Sequence, residues 1–365
     1  MTPLIPTYQG NNLVNLVAEL EVRLTGDSPS AALDNNLSSM IPSAATYVLV
    51  LFDGLGTSQL SHPSVRDLAR HLQASIQAPF PTTTSVSLAT IATGLAPSGH
   101  GILGHLVWIP EVNRVVNSLK WRDLTGSEVE IDTESLLPRP NLWERLGAAG
   151  IQSFTVQPSP FEGTPLSKML YRGTGFEGIS DNDDFIETVS ILAREPGRLM
   201  FAYFPDIDFA AHMSGQNSEE YRRTLDSAAT IWRELCRRVP DEVGLIGTAD
   251  HGHVDYPKRA KIRWRSPVVD SLTVFGDPRV VYLKGDMEVI EEAASEIGVP
   301  VLSRHKIRSW WGPGELEGLE ERLPDACVLA PDGRVLLPKG FDGRLTGYHG
   351  GLTHPEIEIP LLVRR

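Results

Sequence analysis

The sequence predicts an α/β fold with a mostly parallel central sheet, and three observations predict it. Continuous apolar runs end abruptly in polar residues, as buried parallel strands do. Segments with helical periodicity lie between these runs, so strands and helices alternate along the chain. The 365 residues, 41% of them hydrophobic, suffice for one large domain with an insertion or for two domains.

Four apolar runs are the predicted core strands. They are Tyr47 to Phe52, Leu199 to Phe204, Val243 to Ala249 and Ile359 to Val363. Acidic or histidine residues follow the first three runs directly or within four residues. Because ligands bind outside the carboxyl ends of parallel strands, these polar residues are candidates for a functional site.

Two helical patterns between the strands are clear. Apolar residues from about Glu219 to Val239 recur at steps of three and four, which gives one stripe facing a sheet. Asn141 and Glu144 form the pattern of a capping box, and Gly150 marks the end of the short helix that follows. Both patterns favour helices layered on a sheet.

The chain changes character from about Pro257 to Leu345, where short alternating segments and many Gly and Pro residues appear. We expect a catalytic core at residues 1–256 and 346–365 and a small inserted α+β cap subdomain at residues 257–345. The basic run Lys258 to Arg265 opens this cap. An edge strand protected by charge and a lid over an anionic substrate both explain the run.

Composition excludes several classes of protein. A formal net charge of -13 argues against binding nucleic-acid polymers, which require a basic surface, but permits a small anionic substrate met by bound cations. Two cysteines are too few for a disulfide framework or a thiolate zinc site. Because we find neither a signal-peptide pattern nor an apolar run of about 18 residues, we expect a cytoplasmic protein without a membrane partner. The oligomeric state is left open.

Carboxylates and imidazoles form a set of candidate metal ligands. Asp208 and His212 are four residues apart and share one side of a helical turn. The six candidates are Asp53, Asp208, His212, Asp250, His251 and His349. Such sulfur-free ligands suit zinc or manganese, and six are enough for two cations that clamp a phosphoryl displacement. Each motif alone also has a structural explanation, as a turn or a cap.

A hydroxyl cluster from Thr82 to Ser87 precedes a helical pattern and offers a nucleophile. A hydroxyl at a helix N-terminus lies beside free N–H groups that can hold a phosphoryl oxygen. A bound cation would lower the pKa of that hydroxyl. The alternative is that these residues only cap the helix.

The order of these motifs resembles the alkaline phosphatase superfamily and, within it, the type I phosphodiesterase/nucleotide pyrophosphatase family. The motifs are Asp53-Gly54, Phe80 to Thr84, Thr93 to Gly101, Asp208 to His212, Asp250-His251-Gly252 and His349-Gly350-Gly351. The match spans roughly residues 45–256 and 345–365. The resemblance implies a three-layer αβα sandwich and metal-dependent hydrolysis.

The resemblance also assigns roles to residues. It implies one zinc ion held by Asp208, His212 and His349, on the side of the leaving oxygen. It implies a second zinc ion, held by Asp53, Asp250 and His251. Thr84 would be the nucleophile and a further ligand of this second ion. Manganese or another divalent metal is the alternative to zinc. Eukaryotic members of the family have an asparagine oxyanion donor three residues after the nucleophile, where this chain has Ser87. His253, close to Asp250, is a candidate for contacting substrate or supporting a ligand.

The expected function is hydrolysis of phosphodiester or pyrophosphate bonds, in a nucleotide or nucleotide-linked substrate, through a phosphothreonine intermediate at a di-zinc site. The first alternative is a phosphomonoesterase of the same superfamily. A monoester carries an extra negative charge, and no cationic residue stands beside Thr84 in the sequence. The second alternative is a catalytically silent metal-binding scaffold, whose sign would be a lost ligand. None of the six ligands is missing.

Overall fold

The computed structural model describes residues 3–314, 316 and 318–364. The first two residues and the last residue of the predicted core, and residues 315 and 317 of the predicted cap, lie outside this part of the chain.

The strands are numbered in chain order. They are β1 Tyr47–Phe52, β2 Leu72–Gln77, β3 Leu106–Ile109, β4 Arg114–Asn117, β5 Arg122–Asp123, β6 Gln152–Pro158, β7 Gly175–Ile179, β8 Arg198–Phe204, β9 Gly244–Thr248, β10 Val254–Asp255, β11 Lys261–Arg263, β12 Thr273–Asp277, β13 Val280–Lys284, β14 Leu302–Ser303, β15 Ala326–Leu329, β16 Val335–Leu337, β17 Gly347–Tyr348 and β18 Glu358–Val363.

The α-helices follow the same order. They are α1 Leu13–Thr25, α2 Asn35–Ser38, α3 Arg66–Ala69, α4 Thr84–Thr93, α5 Pro97–His100, α6 Leu142–Ala148, α7 Pro165–Leu170, α8 Asn182–Leu192, α9 Asp206–Ser214, α10 Glu219–Arg238, α11 Pro267–Asp270, α12 Met287–Ser295, α13 Arg304–Ile307 and α14 His354–Ile357. Short 3-10 helices lie at Thr57–Ser61, Pro63–Val65, Pro110–Val112, Thr133–Ser135, Ser159–Phe161, Lys258–Ala260 and Arg308–Trp311.

The central sheet has seven strands in the order β2-β18-β9-β1-β8-β6-β7. The pairs from β9 to β7 are parallel, whereas the C-terminal strand β18 runs antiparallel to both β9 and β2. The predicted α/β class with a mostly parallel sheet is therefore confirmed. The strand β1 lies at the centre and is buried along its whole length, which explains its continuous apolar sequence.

Helices cover both faces of this sheet. Leu49 on β1 lines a small internal space with Val17 of α1 and Leu142 of α6. Phe52, three residues further along the same strand, packs edge to face on Trp232 of α10, with ring centroids 6.3 Å apart. Because residues three apart on a strand point to opposite faces, the two helix groups enclose the sheet from both sides. The architecture has three layers.

The two helices expected from sequence are present. Helix α10 follows Ser218, whose hydroxyl accepts from the N–H of Tyr221, and its apolar stripe is buried. Helix α6 begins at the predicted capping box, in which Asn141 and Glu144 exchange hydrogen bonds.

A second seven-stranded sheet has the order β14-β15-β13-β12-β3-β4-β5. It combines strands from residues 273–329 with strands from residues 106–123, which the sequence had assigned to the core. The strand β12 joins the two groups through the pair Gly276 and Leu106. The division of the chain into a core and an inserted cap stays a prediction. Among the described residues, no helix has the length and apolar character needed to cross a membrane.

Candidate metal and phosphoester site

Three adjacent strands bring the predicted ligands together. The strands β9, β1 and β8 lie side by side and parallel, so their carboxyl ends meet at one edge of the sheet. Asp53 follows β1, and Asp250 and His251 follow β9. Asp208 and His212 lie on α9, which begins directly beyond β8.

Two glycines permit the close packing of these loops. Gly54 has a positive φ of 75°, and a β-carbon there would lie 3.0 Å from the main chain of Asp208. A β-carbon on Gly252 would lie 1.9 Å from the carbonyl oxygen of Pro355. Only glycine fits at Gly252, which explains the Asp-His-Gly sequence after β9.

One cluster of ligand atoms surrounds Asp208. His212 Nε2 lies 3.3 Å from Asp208 Oδ2 and 3.1 Å from His349 Nε2. His253 Nε2 lies 3.3 Å from Asp208 Oδ1. These four residues each offer a ligand atom within a common space. His253 therefore lies together with the three candidate ligands expected on this side.

A second cluster adjoins the first. His251 Nε2 lies 3.2 Å from Asp250 Oδ2 and 3.7 Å from Asp53 Oδ1. Asp53, Asp208 and His251 also offer atoms within one common space, so Asp208 lies between the two clusters. The rings of His251 and His349 stack with centroids 3.6 Å apart.

Three of these imidazoles are oriented in the same way. The Nδ1 atoms of His212 and His349 each lie 2.8 Å from a main-chain carbonyl oxygen, and His251 Nδ1 lies 3.1 Å from another. A carbonyl can only accept a hydrogen bond, so each Nδ1 carries the proton. In the neutral ring, the opposite nitrogen, Nε2, then presents a lone pair to the cluster. Metal-binding histidines are held in this way.

The donor set fits divalent cations. Asp53 Oδ1, Asp208 Oδ1 and Asp250 Oδ2 are buried and lack a hydrogen-bond partner among the described residues. Buried carboxylate oxygens normally have hydrogen-bond partners or coordinate a metal. A tetrahedral zinc ion has zinc–nitrogen bonds of about 2.0–2.1 Å, so two of its nitrogen ligands lie roughly 3.3 Å apart. The distances between the carboxylate oxygens and imidazole nitrogens of the two clusters are close to this value.

The electrostatics of the clusters also favour added positive charge. Burial, reinforced by the charges of Asp250 and Asp208, raises the pKa of Asp53 well above its ordinary value. Burial opposes ionisation of Asp208 as well, but the neighbouring imidazoles outweigh it and lower the pKa of that carboxyl well below its ordinary value. Burial lowers the pKa of His349 well below its ordinary value, which favours the neutral ring. Crowded carboxylates beside neutral imidazoles form an environment that suits divalent cations.

Thr84 is the first residue of α4 and faces the second cluster. Its hydroxyl oxygen lies 3.1 Å from His251 Nε2. The preceding residue, Thr83, makes no side-chain cap hydrogen bond. Among the described residues, the N–H groups of Thr84 and Ser85 donate to no acceptor, so the helix start can receive an anion.

The neighbouring hydroxyls bind the main chain of the site loops. Thr82 donates to the carbonyl oxygen of Gly351 at 2.9 Å and accepts from the N–H of Gly350 at 3.1 Å. Ser85 donates to the carbonyl oxygen of Gly104 at 3.1 Å. These contacts fix the start of α4 against the loop that carries His349.

Comparison with known proteins decides the family. The sequence pattern described as type I phosphodiesterase / nucleotide pyrophosphatase matches residues 47–306, more than two thirds of the chain. The chain belongs to this family. A protein of Schizosaccharomyces pombe described as an uncharacterized pyrophosphatase/phosphodiesterase is 23% identical over 226 residues, which are 57% of this chain and 44% of that relative. The match thus spans less than half of the relative's length.

Solved structures share the fold. Human ectonucleotide pyrophosphatase/phosphodiesterase 5 is 18% identical with a TM-score of 0.65 and 87% coverage of both chains. The inactive murine protein in complex with AMP is 17% identical, with a TM-score of 0.63 and coverage of 86% and 87%. Phosphonoacetate hydrolase from Sinorhizobium meliloti 1021 in complex with phosphonoformate is 17% identical, with a TM-score of 0.65 and coverage of 89% and 91%. The alkaline-phosphatase-like fold implied by the resemblance is confirmed.

Ser87 has a partner that the family resemblance did not anticipate. It lies one turn after Thr84, and its buried hydroxyl donates to the carbonyl oxygen of Asp250 at 2.8 Å. The hydroxyl proton of Ser87 therefore takes part in a hydrogen bond to the main chain. Ser87 thus ties α4 to the loop that carries Asp250. A contact between Ser87 and substrate stays a prediction.

Tyr203 is a neighbour of the site that the sequence did not reveal. Its hydroxyl donates to Asp53 Oδ2. Burial and the charge of Asp53 raise the pKa of Tyr203 well above its ordinary value, so the hydroxyl stays protonated. Tyr203 lies within the apolar strand β8, where a tyrosine cannot be distinguished from a core residue by sequence.

His105 is a second missed neighbour. The side-chain oxygen of Asn117 accepts from the N–H groups of Leu119 and Lys120, so its NH₂ group is the donor to His105 Nε2 at 3.0 Å. The proton of the neutral His105 ring is therefore on Nδ1. Burial, and then the charge of His212, lower the pKa of His105 to about 4.

A hairpin of the second sheet supports the ligand loops. Arg279, in the turn between β12 and β13, forms a buried ion pair with Glu356, with Nε 3.0 Å from Oε1. Glu356 also accepts from the N–H of Gly351 at 3.0 Å, and its carbonyl oxygen accepts from the N–H of Gly252 at 2.8 Å. One ion pair thus connects the second sheet to both histidine loops.

The basic run has mostly structural contacts. Lys261 lies on β11, which pairs in parallel with β16, and its amine donates to the carbonyl oxygens of Gly343 and Leu345. Arg265 donates to the carbonyl oxygen of Leu337 at 2.9 Å.

Proposed function

We propose that the chain hydrolyses phosphodiester or pyrophosphate bonds of a small anionic substrate, such as a nucleotide or a nucleotide-linked metabolite, with two divalent cations. One observation carries the proposal. Buried carboxylate oxygens without partners and imidazole Nε2 atoms with lone pairs converge beside a hydroxyl at a helix start. Membership of the phosphodiesterase family supports the same reaction class.

Asp208, His212 and His349 would hold one cation, and Asp53, Asp250, His251 and Thr84 the other. His253 fits the first group as an additional ligand, or as a residue that contacts substrate or supports a ligand. Zinc suits this set of oxygen and nitrogen ligands, and manganese is the alternative. When bound, the cations supply Lewis-acid polarisation of the phosphoryl group and lower the pKa of the nucleophile.

The residues of the chain would divide the remaining work. The N–H groups of Thr84 and Ser85 orient a phosphoryl oxygen at the start of α4. The Thr84 oxygen would form a bond to phosphorus while the bond to the leaving oxygen breaks, which gives a phosphothreonine that keeps the other substituent of the substrate phosphate. Water then hydrolyses this ester. The proton lost by the hydroxyl balances the proton gained by the leaving group.

The test combines metal analysis with two threonine variants. We expect about two zinc ions per chain, loss of at least roughly 1,000-fold in kcat for Thr84→Ala, and partial activity for Thr84→Ser. Thr93→Ala, which removes a buried hydroxyl bonded to the main chain of the same helix, is the matched control and should retain activity. Acid quenching of the wild-type reaction should trap on Thr84 the substrate phosphoryl group with the substituent that it keeps. Full activity of Thr84→Ala would overturn the nucleophile assignment.

The substrate class is tested separately. The proposal predicts faster turnover of bis-p-nitrophenyl phosphate than of p-nitrophenyl phosphate. A strong preference for the monoester would favour a phosphomonoesterase. Two bound metals with no hydrolysis of either ester would favour a silent scaffold.

A further inference from the structure

Two apolar side chains stand exposed on the helix that carries two of the proposed ligands. Phe209 is 67% exposed and Met213 is 56% exposed, and both lie on α9. They are the two most exposed large apolar side chains in the part of the chain that the structure describes. Their spacing of four residues places them on one side of the helix.

This apolar pair is next to the ligand face of α9. Each residue directly follows a ligand, Asp208 or His212, and is therefore rotated by about 100° from it around the helix axis. The opposite face of α9 is filled, because Ile207, Ala210 and Ala211 are buried. The side chains of Phe209 and Met213 are thus exposed on the flank of α9 next to its ligand face, without a role in the core.

Resting on the proposed function, we infer that Phe209 and Met213 form a platform for an apolar or aromatic group esterified to the phosphoryl group. In this proposal the phosphoryl group lies at the two clusters, and its organic substituent lies on the side of Asp208 and His212 and extends across α9. An aromatic ring and a thioether offer dispersion contacts to a flat or apolar group and no hydrogen bonds to a polar one. The platform selects substrates by the organic group they carry.

Binding of two ligands to the zinc-loaded full chain tests the inference. Inorganic phosphate contains only the part bound at the clusters, whereas phenyl phosphate adds an aromatic ring. Titration calorimetry measures both dissociation constants directly and does not depend on an activity assay. We expect the wild type to bind phenyl phosphate more tightly than inorganic phosphate.

The double variant Phe209→Ala/Met213→Ala should reduce this preference roughly fivefold to twentyfold and change the dissociation constant of inorganic phosphate by less than about twofold. Phe209→Leu should keep part of the preference, because it retains apolar surface. Since both side chains are exposed, these variants should unfold at the wild-type temperature.

Ile191→Ala is the matched control. Ile191 is 51% exposed and lies near the C-terminus of α8. The chain runs from there to the start of β8. It therefore lies at the sheet edge opposite the site, and its variant should keep the full preference. An unchanged preference in the double variant would overturn the platform alone. A wild type that binds neither ligand would overturn the platform together with the proposed function.

Discussion

The Nε2 atoms of His212 and His349 lie 3.1 Å apart, and the Nδ1 atom of each ring faces a main-chain carbonyl oxygen. In neutral rings with the proton on Nδ1, two lone pairs face each other. This contact is repulsive unless a cation lies between the rings. The arrangement gives a prediction about stability as well as about activity.

Removing metal should destabilise the fold. A cation that binds only the folded chain, present at 100 times its dissociation constant, adds about 2.7 kcal/mol to the free energy of unfolding. We expect a chelator to lower the Tm by several degrees and added zinc to restore it, as measured by calorimetry. His212→Ala should reduce the response to zinc. An identical Tm with and without chelator would contradict a metal at this pair.

The central strands and the meeting of the six candidate ligands at one edge of the sheet were predictable, because most of these signals are local. A buried parallel strand is apolar along its length, and its ligands follow within a few residues, as at Phe52 and Asp53. The pairing of β3 with β12 was not predictable, because no local pattern records which distant strand a segment joins. The ion pair between Arg279 and Glu356 could not be predicted for the same reason, because the two residues are 77 positions apart in the sequence.

Tyr203→Phe should weaken metal binding and leave the fold intact. The hydroxyl of Tyr203 donates to Asp53, and the loss of such a contact to a metal ligand typically costs 10-fold to 100-fold in metal affinity or activity. Zinc affinity measured by competition with a chelating dye checks this. The control is Tyr221→Phe, because the buried hydroxyl of Tyr221 has no hydrogen-bond partner among the described residues. Equal zinc affinities of the two variants would show that the contact does not tune the site.

Arg279→Met should be strongly destabilising. The variant leaves Glu356 buried without its cation, and breaking a buried pair from one side costs about 3–5 kcal/mol. Urea unfolding of the metal-free chain measures this loss. The matched control is Arg222→Met, which breaks an exposed helical ion pair with Glu219 and should lower the free energy of unfolding far less than Arg279→Met does. A similar small loss in both variants would mean that Arg279 does not anchor the histidine loops.

Asp277→Asn should change how stability depends on pH. Asp277 lies at the end of β12, is buried and accepts from the N–H of His105 at 3.3 Å. Burial raises the pKa of Asp277 from its ordinary value of 3.8 to about 7. The unfolded chain therefore ionises this carboxyl first, and its contribution to stability is lost between about pH 4 and pH 7 and stays constant above pH 7.

An asparagine keeps the acceptor but does not ionise. We expect the variant to be more stable than the wild type at pH 8, by about 1–4 kcal/mol, and to lose this advantage at pH 4, because one pKa unit corresponds to about 1.4 kcal/mol. Urea unfolding of both metal-free proteins at pH 4, 6 and 8 gives the difference. Asp241→Asn, at an exposed position, is the control and should give a difference that does not vary with pH. If the difference in unfolding free energy between Asp277→Asn and the wild type also did not vary with pH, the raised pKa of the Asp277 carboxyl would be refuted.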